Sequence, residues 1–364
     1  MKNSLGTSVI LTLFGESHGP EIGAVLDGLA PGIPVDEAFI AAQLAKRRPR
    51  GLTDTARRET DPFRIISGVF KGHTTGAPLC ILIPNGDTRS ADYGKNLGLA
   101  RPSHADYTAH VKYRGFEDWR GGGHFSGRIT AALVAVGAIA LAALSAKGIR
   151  IATHILCCSD VWDRNFSDFT SEMDSLEGKD FPVLDDEAGK AMEARILEAR
   201  SDGDSVGGII QTAVTGLEAG IGEPWFTSLE GVLANALFSI GGIKGVEFGS
   251  GFGLAGLRGS QANDAFCLDA DKEIRTRTNH NGGINGGISN GMPLVFNAAV
   301  KPTPSIAKPQ DTVNYLTGQE ATLQVTGRHD PAIVRRICPV VSSLVAIVLC
   351  DQLALRHGTD YLKP

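Results

Sequence analysis

ITAALVAVGAIALAALSA, residues 129–146, is an uncharged and almost wholly apolar stretch of membrane-spanning length, and it lies between Arg128 and Lys147. Alanine, valine and glycine make up most of it, so its transfer into lipid would release little free energy per residue. An apolar run without a polar face is typical of a helix that other elements surround. We therefore predict a helix at 129–147 buried in the core of a soluble protein, with a membrane span as the alternative.

Strands and further helices are predicted on both sides of this helix. The predicted strands are 8–14, 22–27, 65–70, 77–83, 149–156, 207–217 and a glycine-punctuated pair at 246–258, and the predicted helices are 36–47, 185–200, 228–239 and 331–357, the last interrupted by Pro339. No clean linker divides them. The pattern predicts the α+β class, with residues 1–364 forming a single domain.

Composition narrows the classes of function. Glycine supplies 45 of 364 residues, about 12 % against an average of about 7 %, which indicates tight turns or backbone close to a ligand. The net charge of −5 gives no reason to expect a nucleic acid partner. The six cysteines contain no C-x-x-C pair, and no cleavage site follows the short apolar N-terminal run. We therefore predict a cytoplasmic protein without a disulfide framework, zinc site or signal peptide.

A basic segment, KRRPRGLTDTARRETDPFR, occupies residues 46–64. It holds seven basic residues, six of them arginine, against three acidic ones. A charge run is usually a solvated surface loop. Arginine, however, also grips phosphate and carboxylate groups through two hydrogen bonds at once. A small polyanionic ligand is therefore a second interpretation of this segment.

The pentapeptide GESHG, residues 15–19, fits the G-x-S-x-G pattern of the nucleophile elbow in serine hydrolases. An elbow needs a helix directly after the serine. Here Pro20 is followed by the apolar run 22–26, which predicts a strand. Ser17 is therefore a poor candidate nucleophile, and His18 becomes the more informative residue.

Other segments are rich in glycine or polar residues. They are RPSHADYT (101–108), RGGGHFSGR (120–128), TNHNGGINGGISNGMP (278–293), KPTPSI (301–306) and GRHDPAI (327–333). The second leads into the long apolar helix, where free backbone N–H groups favour an anion. His104, in the first, could be merely solvated, and Asp330 could be only the N-cap of the last helix.

Taken together, these segments resemble one family. GESHG, RRP, TTGAPL, RPSHADYT, RGGGHFSGR, GDSVGG, GIGEP, KGVEFG, NGGINGGISNG, KPTPSI and GRHDP occur in the order seen in chorismate synthases, from about residue 6 to about residue 355. Those enzymes convert 5-enolpyruvylshikimate 3-phosphate into chorismate and phosphate, using reduced FMN that is not consumed. In that family the histidine of GESHG acts as an acid.

The resemblance implies a β-α-β sandwich around a helical core, assembled as a homotetramer. It also implies a carbon–oxygen lyase of the shikimate pathway with reduced FMN as cofactor. The partners would be the small substrate and an external flavin reductant, without nucleic acid or membrane. The resemblance also implies a role for NADP. The sequence does not decide whether this protein uses NADPH directly as the source of reduced FMN.

The resemblance also assigns site residues. His18 would protonate the departing phosphate, His104 would stabilise reduced flavin near N1, and Asp330 would help to take the proton passed to flavin N5. The substrate anions would be bound by Arg47, Arg48, Arg128 and Arg328. FMN would be bound by His124, Phe125, Ser126, Gly241, Gly242, Gly286, Lys301, Pro302, Thr303, Pro304, Ser305 and Arg328. No metal is expected.

Two other classes of protein remain as alternatives. A serine hydrolase predicts that a fluorophosphonate probe acylates Ser17. A non-catalytic phosphate-binding module predicts anion binding without turnover.

Overall fold

The computed structural model describes residues 2–51, 53–55, 60–86, 97–325 and 329–363. In chain order the strands are β1 (Ser4–Leu5), β2 (Ile10–Gly15), β3 (Glu21–Asp27), β4 (Arg64–Ser67), β5 (Val69–Phe70), β6 (His73–Thr74), β7 (Leu79–Pro84), β8 (Arg150–Cys158), β9 (Val161–Trp162), β10 (Gly208–Thr215), β11 (Ile243–Phe248), β12 (Phe266–Leu268), β13 (Ile274–Thr276), β14 (Ile284–Asn285), β15 (Ile288–Ser289), β16 (Leu294–Val300), β17 (Gln310–Asn314) and β18 (Gln319–Leu323). The α-helices are α1 (Glu37–Arg47), α2 (Asp106–Tyr113), α3 (Thr130–Ala146), α4 (Phe169–Leu176), α5 (Asp186–Ser201), α6 (Leu229–Ser239), α7 (Gly259–Ala262) and α8 (Val334–His357). This mixture of helices and sheets confirms the α+β class.

Two five-stranded antiparallel sheets form the framework. The first has the order β1-β2-β3-β7-β4 and the second the order β11-β16-β10-β8-β9. Alternation decides which face is buried: Leu79, Ile81 and Ile83 of β7 are buried, while the residues between them are only partly covered. In β16, Phe296 and Ala298 are buried in the same alternating way.

The long helices contact both sheets and each other. α3 packs on α1 and α8 and touches β3 and β7 of the first sheet, while α8 touches β8 and β10 of the second. Helices α3 and α8 come close at Gly137 of α3, where a side-chain carbon would lie 2.4 Å from Cβ of Ser343 of α8. Glycine is therefore needed at this crossing.

The predicted core helix is confirmed. Two segments, Gly127–Ala146 and Val334–His357, have the length and composition of a membrane span, and 72 % and 94 % of their apolar windows are buried inside the fold. Alanine and glycine leave little side-chain volume, so neighbouring elements approach α3 closely.

Several predicted elements were wrong. α2 and α4 form in segments where no helix was predicted, and the second strand of the predicted 246–258 pair is a 3₁₀ turn, Gly251–Gly256. Glu247 fixes that turn by accepting a hydrogen bond from the backbone N–H of Phe252 at 3.1 Å. The last helix begins at Val334, later than predicted, and runs through Pro339 without interruption. Nearly all its residues up to Ala354 are buried, which outweighs the loss of one backbone hydrogen bond at the proline.

Candidate active site

A cavity of about 220 Å³ lies between the glycine-rich segment before α3, residues 303–305 and the start of α8. The predicted site residues in its wall are Arg47, His104, Phe125, Ser126, Arg128, Gly241, Thr303, Ser305 and Asp330. Further wall residues, not predicted from the sequence, are Arg101, Arg336, Ile240, Ile333, Ile337 and Val340. The wall thus combines several guanidinium groups, two histidines (His104 and His329) and one carboxylate with an apolar side.

Other predicted residues lie outside this wall. They are His18, Arg48, His124, Gly242, Gly286, Lys301, Pro302 and Pro304. Arg328 falls outside the described residues. Gly242 is adjacent to the cavity through Gly241, and its carbonyl accepts a hydrogen bond from the backbone N–H of Lys301 at 2.9 Å. Gly286 lies in the turn between β14 and β15, where the carbonyl of Gly287 accepts from the N–H of Leu229, so this turn is fastened to α6.

The GESHG segment is the turn of the β2–β3 hairpin. Phe14 pairs with Gly23 and Gly15 with Ile22, so a strand follows the serine where an elbow would need a helix. Asn85 fastens the turn by donating to the carbonyls of Glu16 and Gly19, each at 2.9 Å. The strand–serine–helix arrangement that a serine hydrolase needs is therefore not formed around Ser17.

The direction of the hydrogen bond between Ser17 and His18 also argues against a nucleophilic serine. Ser17 Oγ lies 3.2 Å from the carbonyl of Arg120, which can only accept, and 3.0 Å from His18 Nδ1. A hydroxyl has one proton. When Ser17 donates to Arg120, it accepts from His18 Nδ1, which is the reverse of the proton transfer from serine to histidine in a hydrolase.

Glycine is required where the next segment meets His18. Gly121 has φ of 61°, and a side-chain carbon there would lie 2.2 Å from His18 Cε1. The backbone of Gly121 therefore lies against the imidazole ring on one side and forms part of the cavity wall. This contact places His18 directly behind the wall.

A partly buried ion network holds His104. Asp106 Oδ1 lies 2.8 Å from His104 Nδ1, and Arg101 donates to both carboxylate oxygens, at 2.7 Å and 2.6 Å. Burial alone would raise the pKa of Asp106, but the hydrogen bonds from Arg101 and His104 outweigh it and hold this pKa well below its ordinary value. Because an ionised carboxylate only accepts, Nδ1 of His104 carries a proton, which fixes the orientation of the ring.

We expect Asp106→Asn to lower the free energy of unfolding by about 2–3 kcal/mol at neutral pH. The pKa of Asp106 is lower in the folded protein than its unfolded value of about 3.9, so this stability is present above about pH 4 and is lost as the pH falls through the folded pKa. Urea unfolding of wild type and variant should therefore show a difference that shrinks below about pH 4. Asp160→Asn, at a surface carboxylate paired with Arg195, is the control and should change little. A difference for Asp106→Asn that stays constant down to about pH 2 would contradict the depressed pKa.

Asp330 is not a helix cap. α8 has Ile333 at its N-cap position, with no capping side chain. Asp330 accepts a hydrogen bond from the backbone N–H of Thr55 at 3.0 Å and pairs with Arg336. Arg336 in turn donates from Nε to the carbonyl of Arg47 at 2.9 Å. The first turn of α8 thereby joins Asp330 to the end of α1.

The segment 301–305 is joined to the His104 loop. Lys301 Nζ donates to the carbonyl of Ser103 at 2.5 Å. Burial, assisted by the nearby charge of Lys244, lowers the pKa of Lys301. This contact brings two segments that are far apart in sequence to the same side of the cavity.

The wall suits a ligand with a flat apolar face and polar edges. Thr303 Oγ1 is buried and, within the residues that the structure describes, has no hydrogen-bond partner, so it is available to a bound polar group. Ile240, Ile333 and Val340 supply apolar surface, and open space lies where a side chain at Gly241 would be. These features fit a flavin.

Comparisons with known proteins agree with this arrangement of segments. The family model described as chorismate synthase matches residues 9–354. The chain belongs to the chorismate synthase family. It is similar to the chorismate synthase of Methanocella arvoryzae, with 47 % identity over 354 residues, covering 96 % of this chain and 94 % of the relative. The chorismate synthase of Dehalococcoides mccartyi is 45 % identical over 359 residues, covering 98 % of each chain.

The family likeness extends to the fold. A solved structure entitled "Crystal Structure of Chorismate Synthase" matches with a TM-score of 0.77 and 28 % identity, covering 97 % of this chain and 94 % of that one. Family membership is thus supported over nearly the whole chain, by sequence and by structure.

Proposed function

We propose that this protein is a lyase that converts 5-enolpyruvylshikimate 3-phosphate into chorismate and phosphate by an anti-1,4-elimination. The observation that carries the proposal is the cavity wall that brings His104 and Asp330 together with arginines from distant segments. Elimination of phosphate with loss of a ring proton needs an acid for the leaving group, an acceptor for the proton and cations for the anionic substrate. Family membership supports the same reaction.

The arginines would bind the anionic groups of the substrate. The substrate carries one phosphate and two carboxylates, which favour guanidinium groups over other cations because of their paired N–H donors. Arg47, Arg101, Arg128 and Arg336 line the cavity. We propose that Arg47 and Arg128 bind the phosphate and that Arg48 assists from outside this wall; Arg328, which lies outside the described residues, stays a proposed anion ligand on the family resemblance.

Proton transfer is assigned to three residues. His18, behind Gly121, protonates the departing phosphate. His104 keeps a fixed orientation through Asp106 at Nδ1, and its other ring nitrogen would stabilise reduced flavin near N1. Asp330, held by Thr55 and Arg336, is the final holder of the ring proton.

We propose reduced FMN, delivered by an external reductant, as the cofactor. When bound, it supplies the electron-rich ring that carries the electronic part of the elimination. The residues of this chain that would hold it in the cavity are Phe125, Ser126, Gly241, Thr303 and Ser305. No metal is part of this proposal.

We further propose that the contacts of α3 and α8 with the two sheets form the β-α-β sandwich of the family, as a single domain. The protein would act in the cytoplasm as a homotetramer. Large apolar side chains that could form such interfaces are exposed, including Trp225 at 84 %, Phe226 at 96 % and Phe252 at 83 %.

An anaerobic assay tests the function directly. The protein is mixed with 5-enolpyruvylshikimate 3-phosphate, with and without reduced FMN, and phosphate and chorismate are measured together. The proposal expects both products in equal amounts, and only with reduced FMN. Anion binding without turnover would instead support a phosphate-binding module, and acylation of Ser17 by a fluorophosphonate would support a hydrolase.

Arginine replacements should separate the cavity wall from its surroundings. We expect Arg128→Ala to raise KM for the substrate about tenfold or more, because it removes a charge-assisted contact in the wall. Arg48→Ala should raise KM only about two- to fivefold, with a larger effect at low salt, since the Arg48 side chain is 27 % exposed. Steady-state kinetics over a range of salt concentrations measures both. An unchanged KM for Arg48→Ala at every salt concentration would return this residue to the solvated loop interpretation.

A further inference from the structure

Asp61 is a buried carboxylate among three guanidinium groups. Its side chain is 0 % exposed; Arg47 Nη1 and Arg48 Nε lie 3.7 Å and 3.5 Å from Oδ2, and Arg128 donates to Oδ1. Arg47 ends α1, whereas Arg128 precedes α3. One carboxylate therefore joins cations from two parts of the fold.

The geometry of these cations depends on that carboxylate. Three positive charges and one negative charge leave a local charge of +2. Like charges this close repel strongly in a buried site, and an opposite charge between them offsets the repulsion. Without Asp61, the guanidinium groups would turn away from each other.

Each of the two cavity arginines is also braced from a second direction. Arg47 Nε donates to Thr130 Oγ1 at 2.9 Å, and Arg128 Nε donates to Asn85 Oδ1 at 3.0 Å. Both arginines line the cavity, and Asp61 lies behind them. Because Asp61 is fully buried and contacts both arginines, it can orient their guanidinium groups without touching a ligand itself.

We propose that Asp61 is a positioning residue, which holds Arg47 and Arg128 in the orientation that binds the phosphate of the substrate. This inference rests on the proposed function. A positioning role and a simple charge effect predict opposite changes in phosphate affinity when Asp61 is replaced. Removing an anion beside a phosphate site should tighten phosphate binding if only charge mattered, whereas loss of orientation should weaken it.

The variant Asp61→Asn separates these effects. Asp61 has φ of 47°, a left-handed conformation that asparagine tolerates better than most residues. Asparagine keeps the shape and one acceptor oxygen but loses the charge. Binding of inorganic phosphate to the full-length protein is measured by calorimetry at a temperature where thermal unfolding shows each variant to be folded.

We expect phosphate to bind Asp61→Asn about tenfold more weakly, the order expected for losing one charge-assisted hydrogen bond. Tighter or unchanged binding would overturn the inference, as would a wild type that does not bind phosphate. Glu172→Gln is the matched control, because Glu172, on α4, is a buried carboxylate paired with Arg164, far from the cavity wall in sequence; the change should leave phosphate binding unchanged.

A charge-balanced variant decides the question if Asp61→Asn does not fold. Asp61→Asn with Arg48→Gln removes one charge of each sign, and Arg48 is the most exposed of the three arginines. Compared with Arg48→Gln alone, the double variant should bind phosphate about tenfold more weakly. Equal binding by the two would overturn the inference.

The experiments distinguish failure of the proposed lyase function from failure of the positioning role of Asp61. Wild-type turnover with unchanged phosphate binding in Asp61→Asn would leave the lyase and remove this role. Weakened phosphate binding in Asp61→Asn without any wild-type turnover would leave Asp61 as the brace of an anion site and remove the lyase.

Discussion

Replacing His18 with alanine is expected to reduce turnover by about a hundred- to ten-thousand-fold, the range typical of general acid catalysis. In the proposed reaction His18 protonates the departing phosphate from its position against Gly121. Without this proton the leaving group departs with its full negative charge, which raises the barrier. The measurement is the rate of chorismate formation at saturating substrate and reduced FMN, without oxygen.

Ser17→Ala is the matched control for His18→Ala. The hydroxyl of Ser17 accepts a hydrogen bond from His18 and donates one to the carbonyl of Arg120. Its loss loosens the imidazole but leaves the acid in place, so we expect a loss of about tenfold or less. An inactive Ser17→Ala beside an active His18→Ala would refute the acid assignment and restore the nucleophilic serine.

The second large effect is expected for Asp330→Asn, which should still bind FMN and substrate but turn over about a hundredfold or more slowly. Asparagine can still accept from the backbone N–H of Thr55, so the segment before α8 should keep its place. It cannot hold the ring proton, because the amide lacks the basicity of a carboxylate. We expect phosphate to be released once before turnover stalls, which rapid-quench measurement of phosphate against chorismate would show.

Asp54→Asn is the control for this change. Asp54 is 3 % exposed and pairs with Arg335, the neighbour of Arg336, but neither Asp54 nor Arg335 lines the cavity. It should lower thermal stability while turnover of the folded protein stays close to wild type. Wild-type turnover in Asp330→Asn would end the proton-holding role. Loss of both ligand binding and stability in Asp330→Asn would show that Asp330 acts through the fold.

Local patterns predicted much of the framework. The strands found as β2, β3, β7, β8 and β10, and helices α1, α3, α5 and α6, were predicted within a few residues, because their apolar periodicity and end residues act over short distances. α1, for example, begins after Asp36, whose side chain accepts from two backbone N–H groups of its first turn. Short α2 and α4 were missed, since eight-residue helices depend on the rest of the fold for their stability.

The site was only partly predictable from the residues. Histidine, aspartate and glycine-rich segments marked its components, and the family resemblance named their roles. Arg101 lies inside the segment RPSHADYT, and Asp106, five residues on, is a sequence signal from which their ion pair could have been predicted. The contact of Arg336 with the Arg47 carbonyl carries no local signal, because only the packing of α8 against α1 brings these residues together.

By itself, the sequence determined a buried apolar helix, alternating strands and the chain order of the glycine-rich and charged segments, because each depends on neighbours along the chain. Tertiary structure alone decided that Asp330 meets Thr55 across 275 positions instead of capping α8. It also decided that α8 continues through Pro339 and that Asp61 gathers three arginines. Such outcomes depend on burial and on charges that long-range packing brings together. Neither the burial nor these charge contacts can be predicted from a local sequence pattern.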